Sequence, residues 1–367
     1  MTHYRHMTQQ LDSRPDPRYT AGKKRRFLCR GQVKNMLDKN LYRNIPGLPL
    51  PVPPIFLGTA MAPLMQCGEG SSALLDRVFA SGVTAFDTAR SYGRADEALG
   101  AWMESRGCRS NVTVLTKCGD IRNGVVKVDR QVITEQMSRS LDALRTGCID
   151  IFLLHRDDPD TPVEEFIDTL NEAKSNGLIR VFGVSNWSHL RIAKANRYAA
   201  EKGLSGFSVS SPNYSLALQL KDLWGGGCIT LSGPENADAR AWYRKNRMPV
   251  IAYSGLGRGF CSGRFRAGDY EAARRILDSY ACDGFLYPEN MERLRRAEIL
   301  AEQKGLTVPE IAMRYLFGSG MNLFAVVSTS SPERLEMNLR AAACPLTEAE
   351  TAFLEGTEET RDGSPSP

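Results

Sequence analysis

Eight short apolar segments recur in this chain from about residue 50 onward, and they constrain its fold more than any other feature. They are rich in β-branched residues and lie at residues 55–58, 83–87, 112–117, 149–155, 179–184, 207–211, 250–253 and 324–327. Longer amphipathic stretches with helical spacing of apolar residues separate them. Eight strands alternating with helices predict an α/β protein of the (β/α)8 TIM-barrel class. A doubly wound open sheet has the same parallel strands and right-handed crossovers, and it stays the alternative.

Charge divides the chain into two parts. Residues 1–43 carry eleven Lys or Arg and three Asp, a balance of +8, so the total of +5 leaves −3 for the remainder. We therefore predict a basic N-terminal extension over residues 1–48 and the barrel over residues 49–362. Such an arm suits nucleic acid or an acidic partner, but no aromatic interleaving or zinc-finger spacing accompanies it. A solvated extension that binds no nucleic acid is the better interpretation, and a transit peptide is the alternative.

Several classes of protein lack support in the sequence. The P-loop motif is absent, and GEGSSA at residues 68–73 lies ten residues past the first strand, so it predicts a helix capped by Ser71 or Ser72 rather than a Rossmann fingerprint. Nine scattered cysteines and four histidines predict neither a disulfide framework nor a metal site. No apolar run approaches eighteen residues and no secretory leader is recognisable, so we expect a cytoplasmic protein without membrane contact.

Polar side chains end three consecutive predicted strands. Asp87 ends the second, Lys117 the third and His155 the fourth, and Tyr92 follows in the loop after the second. Because catalytic groups of such barrels lie at the carboxyl ends of strands, we expect all four at one rim.

These four groups suit the reduction of a carbonyl. Hydride delivered to a carbonyl carbon builds charge on oxygen, which needs a proton and a positioned donor. Tyrosine alone is a weak acid, but a neighbouring ammonium favours its phenolate and makes its proton easier to give up. Asp87 would hold Lys117 in place, and a neutral His155 would orient the oxygen.

Six ordered motifs then carry a resemblance: FDTARSYGRADEALG, TKCGD, DIFLLHRDDP, GVSNWS, AYSGLGRG and VVSTSSPERLEMN. In this order and at these spacings, residues 50–345 resemble the aldo-keto reductase superfamily. The resemblance implies a (β/α)8 barrel that binds NADP(H), or in some members NAD(H), without a Rossmann fold. It implies a catalytic tetrad of Asp87, Tyr92, Lys117 and His155, with Tyr92 as general acid. It also implies a small-molecule carbonyl or alcohol substrate and leaves the oligomeric state open.

The resemblance further implies a set of cofactor contacts after five of the strands. They are Thr59, Ala60, Ser185, Asn186, Ser211, Tyr253, Ser254, Gly255, Leu256, Arg258, Ser328, Thr329, Ser330, Arg334 and Asn338. Tyr253 would pack on the nicotinamide, Ser185 and Asn186 would hold its carboxamide, and the helix that begins near Ser331 would meet the adenosine phosphate.

Several positions depart from the family pattern. Ser211 replaces a common glutamine, Ser328 a common lysine and Met337 an acidic adenine partner, which leaves Arg334 as the main cation for a 2′-phosphate. Glycine at position 255 replaces a common proline.

Two further features bear on function. The long segment at residues 212–235 is predicted to cover part of the cofactor or substrate mouth. Trp187 and Trp102 are candidate walls, and a position in the core is an equal alternative for Trp102. A second function also fits the resemblance, namely an NADP(H)-binding regulatory or redox-sensing subunit like the potassium-channel β subunits.

Overall fold

The structure is a computed structural model that describes residues 39–121 and 126–357. In those ranges eight parallel strands close into a barrel in sequence order. The strands are β1 (Ile55–Gly58), β2 (Ala85–Asp87), β3 (Thr113–Cys118), β4 (Ile149–Leu154), β5 (Ile179–Ser185), β6 (Val209–Ser211), β7 (Val250–Ala252) and β8 (Leu323–Val327). The predicted (β/α)8 barrel is confirmed, and the open doubly wound sheet is wrong. Residues 1–38 of the predicted extension and residues 358–362 of the predicted barrel lie outside the described residues.

Helices follow the strands around the outside of the barrel. They are α1 (Ala62–Met65), α2 (Ser71–Ala80), α3 (Ala95–Arg106), α4 (Arg130–Ala143), α5 (Val163–Ser175), α6 (His189–Glu201), α7 (Ala237–Asn246), α8 (Tyr270–Ile276), α9 (Ser279–Phe285), α10 (Pro288–Lys304), α11 (Val308–Phe317), α12 (Pro332–Ala343) and α13 (Glu348–Glu355). Four of them, α8 to α11, lie in the single connection between β7 and β8. None of the helices in the described ranges is long and apolar enough to cross a membrane.

The strands are buried on both faces, as parallel strands covered by helices must be. Alternate residues point inward and outward: Leu115 packs inside the barrel, whereas Val114 packs against the helices. Phe56 and Phe324 meet edge to face inside the barrel, with ring centroids 6.0 Å apart. The interior is therefore a packed core, and a ligand has room only at its mouths.

A short antiparallel contact closes the amino-terminal end of the barrel. Arg43 and Val52 exchange two backbone hydrogen bonds of 2.8 and 2.9 Å. Ile45 and Val52 join the interior core, and the Arg43 guanidinium donates to the Leu323 carbonyl at 3.0 Å. Because this end is plugged, the carboxyl ends of the strands form the open mouth.

Helix starts follow the expected side-chain chemistry at several positions. Asp129 caps α4 and Ser188 caps α6, each accepting a backbone N–H from the first turn. The cap predicted for α2 is wrong: Gly70 occupies the N-cap position, and Ser71 is the first helical residue. The Ser71 hydroxyl instead donates to the Pro63 carbonyl at 2.6 Å, which ties α2 to the preceding turn.

Candidate active site

The four predicted catalytic residues meet at the carboxyl-terminal mouth of the barrel. Asp87 is the last residue of β2, Lys117 is the next-to-last of β3, and His155 directly follows β4. Parallel pairing of β2, β3 and β4 brings these ends side by side. Tyr92 lies in the loop between β2 and α3 and completes the group.

Asp87 and Lys117 form a buried ion pair. The ammonium lies 2.7 Å from one carboxylate oxygen and 2.9 Å from the other, and it donates to the Thr88 carbonyl at 3.0 Å. Burial raises the pKa of Asp87, and the Lys117 charge opposes that rise. The Asp87 carboxylate and the Thr88 carbonyl therefore fix the position of the Lys117 ammonium.

The Lys117 ammonium also faces Tyr92. The Lys117 ammonium lies 3.5 Å from the Tyr92 hydroxyl and 5.0 Å from the centre of its ring. The following glycine explains how the phenol reaches this place. Gly93 has a positive φ of 58°, and a Cβ there would come within 2.7 Å of the Met65 carbonyl oxygen. The Tyr-Gly pair therefore allows a tight turn that presents the phenol above the ion pair.

His155 packs against the same phenol. The two rings meet edge to face with centroids 5.9 Å apart, and the His155 backbone N–H donates to the Cys118 carbonyl at 2.6 Å. Burial lowers the pKa of His155 far below its usual value; Asp120 opposes this shift, and the charges of Lys117 and Arg156 add to it. The imidazole is therefore neutral at physiological pH.

The residues predicted to contact the cofactor lie around the same mouth. Thr59 and Ala60 follow β1, Ser185 and Ser211 end β5 and β6, and Asn186 follows β5. The remaining predicted contacts follow β7 and β8: Tyr253, Ser254, Gly255, Leu256, Arg258, Ser328, Thr329, Ser330, Arg334 and Asn338.

Asn186 connects this set to the predicted catalytic residues. Its amide nitrogen donates to the His155 carbonyl and the Ser185 hydroxyl, both at 3.2 Å, and its oxygen accepts from the Tyr253 hydroxyl at 2.7 Å. Asn186 adopts the left-handed conformation with φ of 62°, which asparagine tolerates better than most residues. Tyr253 is thereby held at the mouth beside His155.

The amino terminus of α12 lies at the far side of the mouth and carries basic charge. Ser331 caps the helix by accepting the Arg334 backbone N–H, and Arg334 itself is exposed. Arg264, in the loop after β7, was not predicted as a site residue. Its pKa is lowered by burial and by the nearby Arg334 charge. Within the described ranges neither arginine forms an ion pair, so the two cations leave a place for an anion.

Several polar atoms in this set lack partners. The Thr59 hydroxyl and the Asn338 side-chain oxygen are buried without a hydrogen bond in the described part of the chain. Buried polar groups usually find partners, so these atoms indicate where a polar ligand would bind. Together with Arg264, Arg334 and the helix terminus, they fit a dinucleotide that carries phosphates.

Two departures from the family pattern have structural reasons. The Ser328 hydroxyl donates to the Gly58 carbonyl at 3.2 Å and so contributes to the contact between β8 and β1. A Cβ at Gly255 would come within 2.6 Å of the Leu316 side chain, which would have to move to admit a larger residue.

The segment after β6 does reach the mouth. The Trp224 ring packs edge to face on Tyr253 with centroids 5.9 Å apart. The Arg258 guanidinium lies over Trp224 at 5.1 Å and over Tyr280 at 5.5 Å, and it pairs with Asp278 at 2.6 Å. We call Trp224, Arg258 and Tyr280 the aromatic clamp. It joins the segments after β6 and β7 to helix α9 beside Tyr253.

Two other predicted walls lie elsewhere. Trp102 packs on Phe79 and Phe86 outside the barrel, and Trp187 packs on Phe166 and Phe207. Both tryptophans are fully buried in the core between strands and helices. The prediction that Trp187 lines the mouth is wrong, whereas Trp102 occupies the core position that was its alternative.

The sequence interpretation also missed Asp120 and Arg156, which flank His155. Asp120 is the last residue of the motif TKCGD, and Arg156 lies within the motif DIFLLHRDDP. Asp120 lies 3.7 Å from the His155 ring nitrogen Nδ1, and Arg156 is buried beside it. In the described ranges no group of three or more His, Cys, Asp or Glu residues could hold a metal ion.

This closed barrel, with a tyrosine, lysine, aspartate and histidine at its carboxyl mouth, defines a class of redox enzymes. The family model described as the aldo/keto reductase family matches residues 54–359, and the chain belongs to that family.

Three relatives are similar to this chain over most of both lengths. Aldo-keto reductase str7 of Strobilurus tenacellus is 29% identical over 76% of this chain and 78% of its own length. Aldo-keto reductase yakc [NADP(+)] of Schizosaccharomyces pombe is 26% identical over 77% and 80%, and aldo-keto reductase ausK of Emericella nidulans is 26% identical over 86% and 80%.

Proposed function

We propose that this protein is an NADP(H)-dependent oxidoreductase of the cytoplasm that interconverts a carbonyl compound and an alcohol by hydride transfer. The observation that carries the proposal is the buried Asp87–Lys117 pair, whose ammonium lies 3.5 Å from the Tyr92 hydroxyl. Membership of the aldo/keto reductase family supports it, as does NADP(+) in the name of the relative from S. pombe.

Tyr92 acts as general acid in the reducing direction. The Lys117 ammonium stabilises the phenolate that remains when Tyr92 gives its proton to the substrate oxygen. Asp87 anchors the ammonium, so the charge stays beside the phenol throughout the reaction. The nicotinamide, when bound, supplies or accepts the hydride. In the oxidising direction the same phenolate takes the proton from the alcohol.

The cofactor is held by groups on both sides of the mouth. Asn186 and Ser185 offer amide and hydroxyl groups to the carboxamide, and Tyr253 offers a ring face to the nicotinamide. Arg264 and Arg334 offer two guanidinium groups to a 2′-phosphate, and guanidinium groups bind phosphate bidentately. The buried Asn338 oxygen, which has no hydrogen bond in the described part of the chain, would accept one from the adenine of the bound cofactor.

The experiment is NADPH oxidation followed at steady state across a panel of aldehydes and ketones. We expect turnover with at least one compound and a loss of about 100-fold or more in kcat for Tyr92→Phe. Tyr198→Phe is the matched control, since that phenol bonds Asp168 on the surface and lies away from the mouth. NADPH binding, measured by fluorescence titration, should be unchanged in both variants.

Equal turnover in Tyr92→Phe and in the wild type would contradict the proposal. Tight NADPH binding with no turnover on any compound would instead support the second function, a regulatory or redox-sensing subunit that binds NADP(H).

A further inference from the structure

Part of the segment after β6 has a distinctive backbone conformation at the mouth of the barrel. We call residues 222–228 the strap. Four consecutive residues of the strap have positive φ: 54° at Trp224, 88° at Gly225, 104° at Gly226 and 71° at Gly227. Glycine adopts such a conformation freely, whereas tryptophan does so only where its surroundings hold it there. Contacts with the rest of the barrel therefore hold the strap in one shape.

Arg156 supplies the central contact of the strap. Arg156 directly follows His155 and is only 4% exposed. Its Nη1 donates to the Gly226 carbonyl at 3.2 Å and to the Cys228 sulfur at 3.0 Å. Its Nε also lies 3.4 Å from Asp120, in the loop after β3. Because a buried guanidinium needs acceptors for its N–H groups, Arg156 and the strap hold each other in place.

The two ends of the strap are joined by hydrogen bonds of Cys228. Its thiol donates to the Leu223 carbonyl at 3.2 Å, and its backbone N–H donates to the Asp222 carboxylate at 3.0 Å. Burial raises the pKa of Cys228, although the Arg156 charge opposes the rise, so the thiol is protonated at neutral pH. A protonated thiol can donate to one partner and accept from another. The strap is thus a closed loop that Arg156 ties to the barrel.

The strap reaches from the β3 side of the mouth to the β7 side. A Cβ at Gly225 would come within 3.2 Å of the Ile121 side chain, which follows β3. At the other side, Trp224 packs on Tyr253, which follows β7. Strands β4, β5 and β6 lie between β3 and β7 in the barrel. The strap therefore covers the sector of the mouth that contains His155.

We propose that Arg156 is a specificity-determining positioning residue, which holds the strap over the mouth and so limits the reaction to carbonyl compounds that are narrow beside the carbonyl carbon. This inference rests on the proposed function. A wall selects substrates by size only if it resists displacement, because a wall that yields admits a branched substrate at little cost. The buried Arg156 guanidinium supplies this resistance. Unbranched aldehydes are the substrate class that the strap favours.

Two isomeric aldehydes measure the size limit. Pentanal and pivaldehyde have the same atoms, but pivaldehyde is branched at the carbon beside the carbonyl. We expect the ratio of kcat/KM for pentanal to that for pivaldehyde to fall about tenfold in Arg156→Met, the lower end of what one methylene group contributes in a tight pocket. If neither aldehyde is reduced, the best carbonyl of the panel and an isomer branched beside its carbonyl take their place.

The ratio separates the strap from the imidazole. Burial lowers the pKa of His155, and the Arg156 charge adds to that shift, so Arg156→Met also changes the surroundings of His155. A change in proton chemistry at His155 acts on both aldehydes alike and cancels in the ratio. Only a change in the shape of the pocket alters the preference between the two isomers.

Gly226→Ala perturbs the strap and leaves the Arg156 side chain in place. Alanine is strained at a φ of 104°, and a Cβ there would meet its nearest neighbour, the Asp222 carboxylate, only at 3.8 Å, so the strain acts on the backbone. The ratio should fall in this variant too. Gly203→Ala is the matched control: Gly203 has a φ of 67° and open space around it, and it follows α6. It should leave the ratio unchanged.

Hydrogen exchange reports on the strap without cofactor or substrate. Exchange is followed by mass spectrometry in the peptide that contains residues 222–231, where the Cys228 amide is bonded to Asp222. We expect about tenfold faster exchange in Arg156→Met, the effect of losing one hydrogen bond, and no change in Gly203→Ala.

Three outcomes would overturn the inference: an unchanged ratio in Arg156→Met, a ratio that moves further toward pentanal, or unchanged exchange in the strap. If Arg156→Met fails to fold, the ratio and the exchange in Gly226→Ala decide. Absence of turnover on every carbonyl, together with faster exchange in Arg156→Met, would refute the proposed function and the size limit that rests on it. The anchoring of the strap by Arg156 would then still stand.

Discussion

Replacing Lys117 by methionine tests whether the ion pair at the mouth is as tightly coupled as its geometry indicates. Lys117→Met keeps an unbranched apolar side chain one atom shorter and removes the ammonium, which leaves Asp87 in a site where it is only 4% exposed. In the described structure the Lys117 ammonium is the cation paired with Asp87, at 2.7 Å. The variant therefore isolates a buried carboxylate.

The size of the expected effect follows from the 2.7 Å distance between the Lys117 ammonium and the Asp87 carboxylate. Two unit charges 2.7 Å apart attract by about 6 kcal/mol at an effective dielectric constant of 20. Burial of the two ions offsets much of this attraction, so the pair adds little net stability. Removing one partner is different, because the remaining charge keeps its desolvation cost. We expect Lys117→Met to lower the free energy of unfolding by about 3 to 5 kcal/mol at pH 8.

The free energy of unfolding of Lys117→Met should depend on pH in a defined direction. Burial raises the pKa of Asp87, and loss of Lys117 removes the charge that opposes this rise. The folded variant then binds a proton that the unfolded chain releases above about pH 4, so its stability falls as the pH rises. Asp87→Asn/Lys117→Met is the control, because it has no titrating group there. Its advantage over Lys117→Met should grow between pH 5 and pH 8.

The assay is urea unfolding followed by circular dichroism at several pH values. Equal stability of Lys117→Met and the double variant at every pH would refute the argument, since it would mean that Asp87 carries no uncompensated charge. Both variants should lose carbonyl reduction, so activity and stability separate the two roles of the pair.

Three further predictions concern the cofactor and the barrel. Arg264→Gln and Arg334→Gln should each raise the KM for NADPH about tenfold and leave that for NADH unchanged; equal effects on both would place the 2′-phosphate elsewhere. Trp224→Ala should speed NADPH release about threefold in stopped-flow fluorescence, because it removes one ring under Arg258. Gly183→Ala places a Cβ 2.0 Å from the Val209 carbonyl and should cost about 3 kcal/mol or more in urea unfolding, whereas Gly147→Ala, with open space around it, should stay within about 0.5 kcal/mol.

Much of the barrel and of its mouth could be predicted from the sequence. Burial on both faces gives each parallel strand a continuous apolar run, so β1, β3 and β4 were located to within one residue of their observed bounds. A residue that ends such a run in a parallel barrel must lie at the carboxyl mouth, whichever helices follow. For this reason Asp87, Lys117 and His155 were expected together, and the structure brings them together.

Other features depended on the paths of loops, which local sequence does not define. Gly70 is the N-cap residue of α2, because the Ser71 hydroxyl donates to the Pro63 carbonyl in α1 instead. Trp187 was misplaced because it stands just past a strand end, where sequence alone does not show which way a side chain points.

The sequence by itself determined the eight strands that alternate with helices and the polar groups at the strand ends, because strand periodicity and strand ends are local properties. Closure of the strands into a barrel was shown by the tertiary structure. Only the tertiary structure showed that Asp120 lies beside His155, that the Arg334 charge acts on Arg264, and that two loops and helix α9 meet in the aromatic clamp. These contacts join segments far apart in the chain. They are set by how whole loops pack over the mouth, and no spacing along the sequence encodes that distance.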